Sequence, residues 1–260
     1  MDILTVGGLL IGWGALIASV ILDGGSMSGF VKLSPFILVI FGSVGAASIS
    51  MTMEDLLQVP GVLKKAFINK RKMAHAEIVQ TLVRFSQASR REGLLVLENE
   101  ANKTDDLFLK KGLQLVVDGV DMNNLKAILE TDITTLKHRH KIGEEYFMKL
   151  GGFGPTLGII GTVLGLVHML SNLSEPGTMG PAIASAFIAT LYGVSSANLL
   201  YLPIANKLKT LTDEEVLEKR IILEGLIALQ AGENPTIIEE RLLSFIRPKK
   251  RSSSRSKKAA

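Results

Sequence analysis

The sequence has 260 residues, of which 47% are apolar, a formal net charge of +4 and no cysteine. The apolar content and the positive mean hydropathy are high for a soluble protein. The absence of cysteine excludes disulfides and thiolate metal sites within the chain. The positive charge is not accompanied by interleaved aromatic and basic residues, so we expect no nucleic-acid partner.

Four uncharged stretches account for much of the apolar content, and each is at least 20 residues long. They are residues 3–22, 33–53, 150–174 and 176–206. A helix of about 20 residues crosses a hydrocarbon core roughly 30 Å thick. The alternative, buried helices of a soluble protein, is disfavoured because such helices rarely contain more than about 14 uncharged apolar residues in a row. We therefore predict four membrane spans, arranged as two hairpins.

Basic residues predict the orientation of these spans, because cytoplasmic loops hold an excess of Lys and Arg. Between the first two spans the only basic residue is Lys32, and the loop around Glu175 has none. All other Lys and Arg fall between spans two and three or after span four. Both termini are therefore predicted to be cytoplasmic. The first span is not predicted to be a cleaved signal, since no Lys or Arg precedes Lys32.

The long segment between spans two and three is predicted to be helical. Apolar residues keep helical spacing from Ile78 to Ala101, residues 104–106 read as the start of a further helix, and Gly119 closes it. From Asp121 an apolar pattern runs toward Tyr146 and into span three.

After span four a helix is predicted to continue to Ala231, with a short last helix over 236–246. The fold class is thus an all-α polytopic membrane protein with four transmembrane helices and a helical cytoplasmic domain. The predicted parts are a hairpin over 1–53, a cytoplasmic domain over 54–149, a second hairpin over 150–206, cytoplasmic helices over 207–246, and a disordered basic tail over 247–260. The tail is either a solvated terminus or a contact for anionic lipid.

No Asp, Glu, Lys or Arg lies inside any predicted span. A transporter that moves protons by itself usually carries such a residue, because it is costly in a membrane and retained only for a task. Small residues instead recur at helical spacing, which favours close helix packing and, by their number, an oligomer. They are Gly154, Gly158, Gly161 and Gly165 in span three, and Ser185, Ala189, Gly193 and Ala197, with a second track of Ala182, Ala186 and Thr190, in span four.

Few polar side chains in spans three and four are available to line a wet path. The candidates are Thr156, Thr162, Thr190, Ser195, Ser196 and Asn198. The alternative for each hydroxyl is a hydrogen bond to a carbonyl three or four residues back in its own helix. Pro155 and Pro203 lie near the predicted cytoplasmic ends of the two spans, where proline frees a carbonyl and favours a kink.

The sequence offers no enzyme motif, and we expect neither catalysis nor a cofactor. The glycine-rich run from Gly151 to Gly165 has no Lys after its glycines and lies inside a predicted span, so it is not a phosphate-binding loop. With four histidines and no cysteine, no metal or nucleophile constellation is apparent.

Three stretches carry a resemblance to a known family. They are the run from Ser89 to Glu98 (SRREGLLVLE), the run from Gly154 to Thr162 (GPTLGIIGT), and the run from Phe187 to Gly193 (FIATLYG). In order and spacing they resemble MotA, the stator-subunit family of the flagellar motor, over residues 1–246. TolQ and ExbB share the pattern of the last two spans but have three spans and lack the Arg-Glu-Gly-Leu stretch.

The resemblance implies a stator in which five MotA-like chains surround the single spans of two MotB-like chains, each bringing an essential aspartate. Ion flow past that aspartate, proton or possibly sodium, drives rotation. Family roles then map to Thr162 and Thr190 on the ion path and to Pro155 and Pro203 in conformational coupling. Arg90 and Glu98 would contact the rotor protein FliG, and the eight-residue spacing of the two would put both on one exposed side of a helix.

Neighbouring charges leave the rotor assignment open, because Arg91 and Glu92 could share that role.

Two other functions also remain as alternatives. One is a channel or transporter that works without a partner, against which the missing intramembrane acid argues. The other is an energiser of cell-envelope processes similar to TolQ and ExbB.

Overall fold

The computed structural model describes residues 3–67 and 74–248, and every regular element within these residues is helical. The predicted all-α class is confirmed. In chain order the helices are α1 (Ile3–Leu22), α2 (Leu33–Ser48), α3 (Met53–Phe67), α4 (His75–Glu92), α5 (Val96–Lys103), α6 (Leu107–Val117), α7 (Met122–Ser171), α8 (Pro176–Gln230) and α9 (Pro235–Leu243).

Among the described residues, three helices are long and apolar enough to cross a membrane, namely α1, α7 and α8. Helix α2 is apolar but shorter, at 16 residues. It ends at Ser48, whereas the uncharged stretch in the sequence runs on to Met53, because residues 49–52 form a turn before α3. At 1.5 Å per residue α2 is about 24 Å long.

The described residues form two compact units. The first contains residues 3–67 and 140–211, and the second contains residues 74–139 and 212–248. The long helices α7 and α8 each contribute to both units.

In the first unit, α1 and α2 form the first hairpin. Gly24 adopts a φ of +72°, which closes the end of α1, and a short 3-10 turn over Met27–Phe30 leads to α2. Helix α2 contains a π-helical stretch, Ile37–Phe41, and a second π-helical stretch, Ala197–Tyr201, interrupts α8. Such stretches are frequent at functional sites.

A compact apolar cluster lies where α2 ends and α3 begins. Ala47, Phe147, Leu150 and Ala205 are buried in it, and α3 contributes apolar side chains that pack against it. The cluster explains why α3 lies along α7: its Val62 occupies the space over Gly143, where a Cβ would overlap it. The burial of these side chains stabilises the junction between the first hairpin and α7.

The second unit has its own core, built from α4–α6, parts of α7 and α8, and α9. Among its fully buried side chains are Leu82 and Phe85 of α4, Leu113 of α6 and Leu226 of α8. Helix α9 packs on α4 and buries Ile238 and Leu242. Gly225 allows α8 to approach α4, since a Cβ there would lie 2.6 Å from Leu82 Cδ1.

The long helical pattern predicted from Ile78 to Ala101 is interrupted. Gly93 ends α4 with a φ of +83° and a ψ of 171°, a conformation that glycine adopts at little cost. Helix α5 begins only at Val96. The expectation that Arg90 and Glu98 lie on one side of a single helix was therefore wrong.

The helix start and stop signals after this turn are confirmed. The Asp106 carboxylate accepts a hydrogen bond from Leu109 N at 2.8 Å at the start of α6, and Gly119 with a φ of +71° follows its end. Helix α7 continues without a break from Met122 to Ser171, as the pattern from Asp121 predicted. Gly232, with a φ of +67°, separates α8 from α9, and the tail from residue 249 lies outside the described residues.

Candidate functional site

The strongest candidate site is a pair of threonine hydroxyls on α7 and α8. Thr162 is the central residue of the uncharged stretch 150–174, and Thr190 lies one residue from the centre of 176–206. Both side chains are half-buried. The pair therefore lies at the middle of two apolar stretches that contain no Asp, Glu, Lys or Arg.

The two hydroxyls are bonded across the helix pair. Thr162 Oγ1 and Thr190 Oγ1 are 2.5 Å apart. Thr162 Oγ1 also lies 3.1 Å from the carbonyl oxygens of Gly158 and Ala186, and Thr190 Oγ1 lies 3.4 Å from the carbonyl of Gly158. The sequence left open whether each hydroxyl lines a path or only bonds its own helix. A hydrogen bond within one helix does not fully describe this pair, because the two hydroxyls also bond each other.

The two hydroxyl protons of Thr162 and Thr190 determine what this pair can offer to a ligand. Each hydroxyl has one proton to donate. If Thr162 donates to Thr190, Thr190 donates to Gly158; if Thr190 donates to Thr162, Thr162 donates to Gly158 or Ala186. Both protons stay inside the network in either case, so the pair presents oxygen lone pairs to a neighbouring cation or acid.

The other predicted polar candidates behave differently, because each bonds back to its own helix. Thr156 donates to the Phe153 carbonyl at 2.8 Å, and Asn198 donates to Val194 at 2.9 Å. Ser195 and Ser196 are buried and donate to Leu191 and Gly193 at 2.5 and 3.2 Å. These four residues have the intrahelical hydrogen bonds that the sequence left as the alternative.

Glycines on α7 explain how the hydroxyls come within reach of each other. A Cβ on Gly158 would lie 2.9 Å from the Ala189 carbonyl oxygen, and one on Gly161 would lie 2.5 Å from Ala189 Cβ. A Cβ on Gly193 would overlap the carbonyl of Gly154. The helix backbones are therefore in direct contact on both sides of Thr162 and Thr190.

This packing shows which contacts the small-residue rows make within the chain. The small-residue rows seemed too extensive for contacts within one chain, and this favoured an oligomer. Instead the rows of α7 and α8 meet each other: Gly154 faces Gly193, and Gly165 faces Ala186. The rows are therefore used within the chain and are not themselves an argument for other copies.

Pro155 directly follows Gly154 of this helix contact, and Pro203 lies almost three turns after Gly193. Pro155 is half-buried within α7, and Pro203 is exposed, two residues after the π-helical stretch Ala197–Tyr201. Gly151 of α7 packs on Leu202, where a Cβ would lie 2.5 Å from Leu202 Cδ2. The two helices are thus adjacent where both backbones lose a hydrogen bond to proline.

Arg90 and Glu98 lie on either side of the Gly93 turn, and both are exposed. Within residues 3–67 and 74–248, neither takes part in an ion pair. The neighbouring ion pair that joins α4 to α5 is Arg84 with Glu100, at 3.3 Å. The structure therefore leaves both predicted rotor-contact charges available to solvent or to a partner.

Tyr192 is a site residue that the sequence analysis missed. Its hydroxyl donates to the Phe30 carbonyl at 2.5 Å and accepts from Lys32 N at 3.2 Å. Its ring packs edge-on against Phe36, with centroids 6.4 Å apart. Tyr192 thus fastens the first hairpin to α8, but its partners are backbone groups, which no sequence pattern reveals.

Fold and site together define a multi-pass membrane protein, with polar groups at the middle of the uncharged stretches of α7 and α8 and no Asp, Glu, Lys or Arg within these stretches. Among the described residues, no group of three His, Asp or Glu is placed to hold a metal ion.

Comparisons with known proteins agree with this class. The sequence profile of the MotA/TolQ/ExbB proton channel family matches residues 100–221. The Bacillus subtilis protein YtxD is 38% identical over 94% of this chain and 90% of its own length. Motility protein A of Borreliella burgdorferi is 34% identical over 97% of this chain and 96% of its own length.

A solved structure is also similar to this chain. The flagellar MotAB stator complex of Bacillus subtilis contains a chain that matches with a TM-score of 0.90 and 31% identity, over 95% of this chain and 97% of that one. The chain belongs to the motility protein A branch of the MotA/TolQ/ExbB proton channel family.

Proposed function

We propose that this chain is the stator subunit of a bacterial flagellar motor, which couples ion flow across the inner membrane to torque on the rotor. The observation that carries the proposal is the cross-helix hydroxyl pair of Thr162 and Thr190, at mid-span in a chain whose uncharged stretches contain no acid. Such a chain lines an ion path but needs a partner to bring the titrating group. Relatives named motility protein A, and the MotAB stator structures, support the same function.

The proposed partner is a MotB-like single-span protein whose acidic residue lies beside Thr162 and Thr190. The solved relatives are MotAB complexes, which supports such a partner and an oligomeric assembly. We propose a pentamer of this chain around two partner chains. Pro155 and Pro203 would let α7 and α8 bend as the acid is protonated and released, because each proline removes one backbone hydrogen bond.

The proposed membrane arrangement has four spans, with α2 as the short one, and both termini in the cytoplasm. The segments 54–149 and 207–246 then form the cytoplasmic part, with the basic tail 247–260 on the same side. Its exposed charges Arg90 and Glu98 are proposed to contact the rotor protein FliG through opposite charges.

The decisive experiment is rotation of tethered cells in a strain that lacks its own stators. We expect the chain expressed with its MotB-like partner to restore rotation, and either protein alone to fail. Absence of rotation with the complete pair correctly inserted in the membrane would refute the stator function.

The TolQ/ExbB-like alternative is tested in parallel, by asking whether the same pair restores envelope integrity to a strain without TolQ. We expect no rescue. A channel that needs no partner would instead conduct ions when the purified chain alone is placed in liposomes, and we expect no flux.

The coupling ion is proposed to be the proton, with sodium as the alternative, because hydroxyl oxygens accept either cation. Swimming speed measured against external sodium, with and without a protonophore, separates the two. A proton-driven motor stops with the protonophore at every sodium concentration, whereas a sodium-driven motor gains speed with sodium.

A further inference from the structure

A polar pocket of the first unit is lined by none of the proposed ion-path residues. It is lined by the 49–52 turn, by Asp55 at the start of α3, and by residues of α7 that include Glu145, Tyr146 and Lys149. Its volume is about 210 Å³. The pocket is large enough for a small polar headgroup.

The pocket lies where two apolar helices leave the predicted membrane. The 49–52 turn directly follows α2, and Lys149 directly precedes the uncharged stretch 150–174. Ile49 at its rim is 88% exposed, and Met53 just beyond it is 72% exposed. Charged side chains beside exposed apolar ones at the end of a span match the boundary between lipid headgroups and acyl chains.

The charged side chains of the pocket differ in whether they have a partner. Asp55 accepts a hydrogen bond from Thr52 Oγ1 at 2.7 Å, and Glu145 pairs with Lys141 at 3.0 Å. Lys149 has no ion-pair partner among the described residues. The pocket therefore combines one unpaired ammonium with two carboxylates that can each accept further hydrogen bonds.

We propose that this pocket binds the headgroup of a zwitterionic aminophospholipid, such as phosphatidylethanolamine. The lipid phosphate contacts the Lys149 ammonium, and the lipid ammonium contacts Asp55 and Glu145. The unpaired lysine thereby gains an opposite charge, and each carboxylate gains a further hydrogen-bond donor. A purely anionic headgroup would leave the two carboxylates facing negative charge. The inference rests on the membrane placement proposed above, and not on the stator role.

Native mass spectrometry of the full-length chain, co-purified with its single-span partner from nanodiscs of phosphatidylethanolamine and phosphatidylglycerol, tests the proposal. We expect phosphatidylethanolamine to be retained in excess over its share of the nanodisc. Lys149→Gln should lower that retention by about tenfold, the effect of one charge-assisted contact. Lys149→Arg should preserve it, and Glu145→Gln should shift retention toward phosphatidylglycerol.

Lys209→Gln is the matched control, because Lys209 is an exposed lysine just beyond the uncharged stretch 176–206 and does not line the pocket. It should retain lipid like the unchanged chain. A parallel sample with inorganic phosphate and no lipid distinguishes a free phosphate from a headgroup. Equal retention in Lys149→Gln and Lys209→Gln, or binding of inorganic phosphate with no preference between the two lipids, overturns the proposal. Membrane extraction of each variant confirms insertion, so a wrong membrane placement is recognised separately.

Discussion

At the scale of single residues, Thr162 and Thr190 differ from the other polar side chains of their spans in one respect. Their hydroxyls bond each other as well as backbone carbonyls, and both stay half-buried. An oxygen lone pair held at a fixed place costs little reorganisation when a cation or an acid arrives beside it. An ion on the proposed path would therefore meet oxygen lone pairs that are already in position.

Thr190→Val therefore should abolish swimming, because valine keeps the shape of threonine but removes the oxygen. Thr190→Ser should retain most swimming, because it keeps the hydroxyl. Expansion of swim rings in soft agar, with membrane levels measured by immunoblot, checks both variants. Ser195→Ala is a suitable control, since its hydroxyl bonds only its own helix, to the carbonyls of Leu191 and Tyr192. Swimming of Thr190→Val at the unchanged rate would contradict the site assignment.

Charge at the Gly93 turn leads to a second prediction. Arg90→Glu should lower stall torque only in part, since one exposed ion pair is worth about 0.2–1 kcal/mol. A compensating charge reversal on the rotor should restore some of the loss. Torque is measured from beads attached to flagellar stubs. Lys110→Glu, an equal charge change at an exposed site of α6, should leave torque unchanged, and equal losses in both variants would argue against a specific contact.

At the scale of elements, the glycine contacts between α7 and α8 predict a sharp dependence on side-chain size. Gly193→Ala should destabilise the protein by about 1–3 kcal/mol, because its Cβ overlaps the backbone of Gly154. Gly152→Ala is the matched control, since nothing lies within 4 Å of a Cβ there. Thermal unfolding in detergent, followed through the single tryptophan, should give a lower midpoint for Gly193→Ala only.

Pro155→Ala also changes the packing helices, but unlike Gly193→Ala it should not lower the stability of the protein. It restores a backbone hydrogen bond to α7, so we expect unchanged or raised thermal stability together with loss of motility. Immunoblots and co-purification of the partner check that assembly is intact. Normal swimming of this variant would refute the proposed coupling role of the proline.

The helices also show which parts of the fold can be predicted from the sequence and which cannot. Helix α6 was predictable because Asp106 and Gly119 are local signals at its two ends. The break at Gly93 was not, because a glycine inside a helical pattern is compatible with either a continuous helix or a turn. The pairing of Thr162 with Thr190 depends on the relative rotation of two helices, and one sequence does not contain that information.

At the scale of the whole molecule, the absence of cysteine allows a direct test of the membrane arrangement. Single cysteines at Ser26 and Ser174 should react with a membrane-impermeant maleimide in intact cells. One at Thr236 should react only after the cells are opened, because both termini are proposed to be cytoplasmic. All three positions are exposed, so burial does not affect the comparison. Labelling of Thr236→Cys in intact cells would contradict the orientation.

The bond between Tyr192 and the first hairpin has a consequence for sequence tolerance. The Tyr192 hydroxyl bonds the backbone carbonyl of Phe30 and the backbone amide of Lys32. The side chains of Phe30 and Lys32 take no part in these two hydrogen bonds. The loop can therefore change its side chains at these positions without losing its attachment, with one exception. Proline at position 32 has no N–H to donate, so it is the substitution that this loop should not accept.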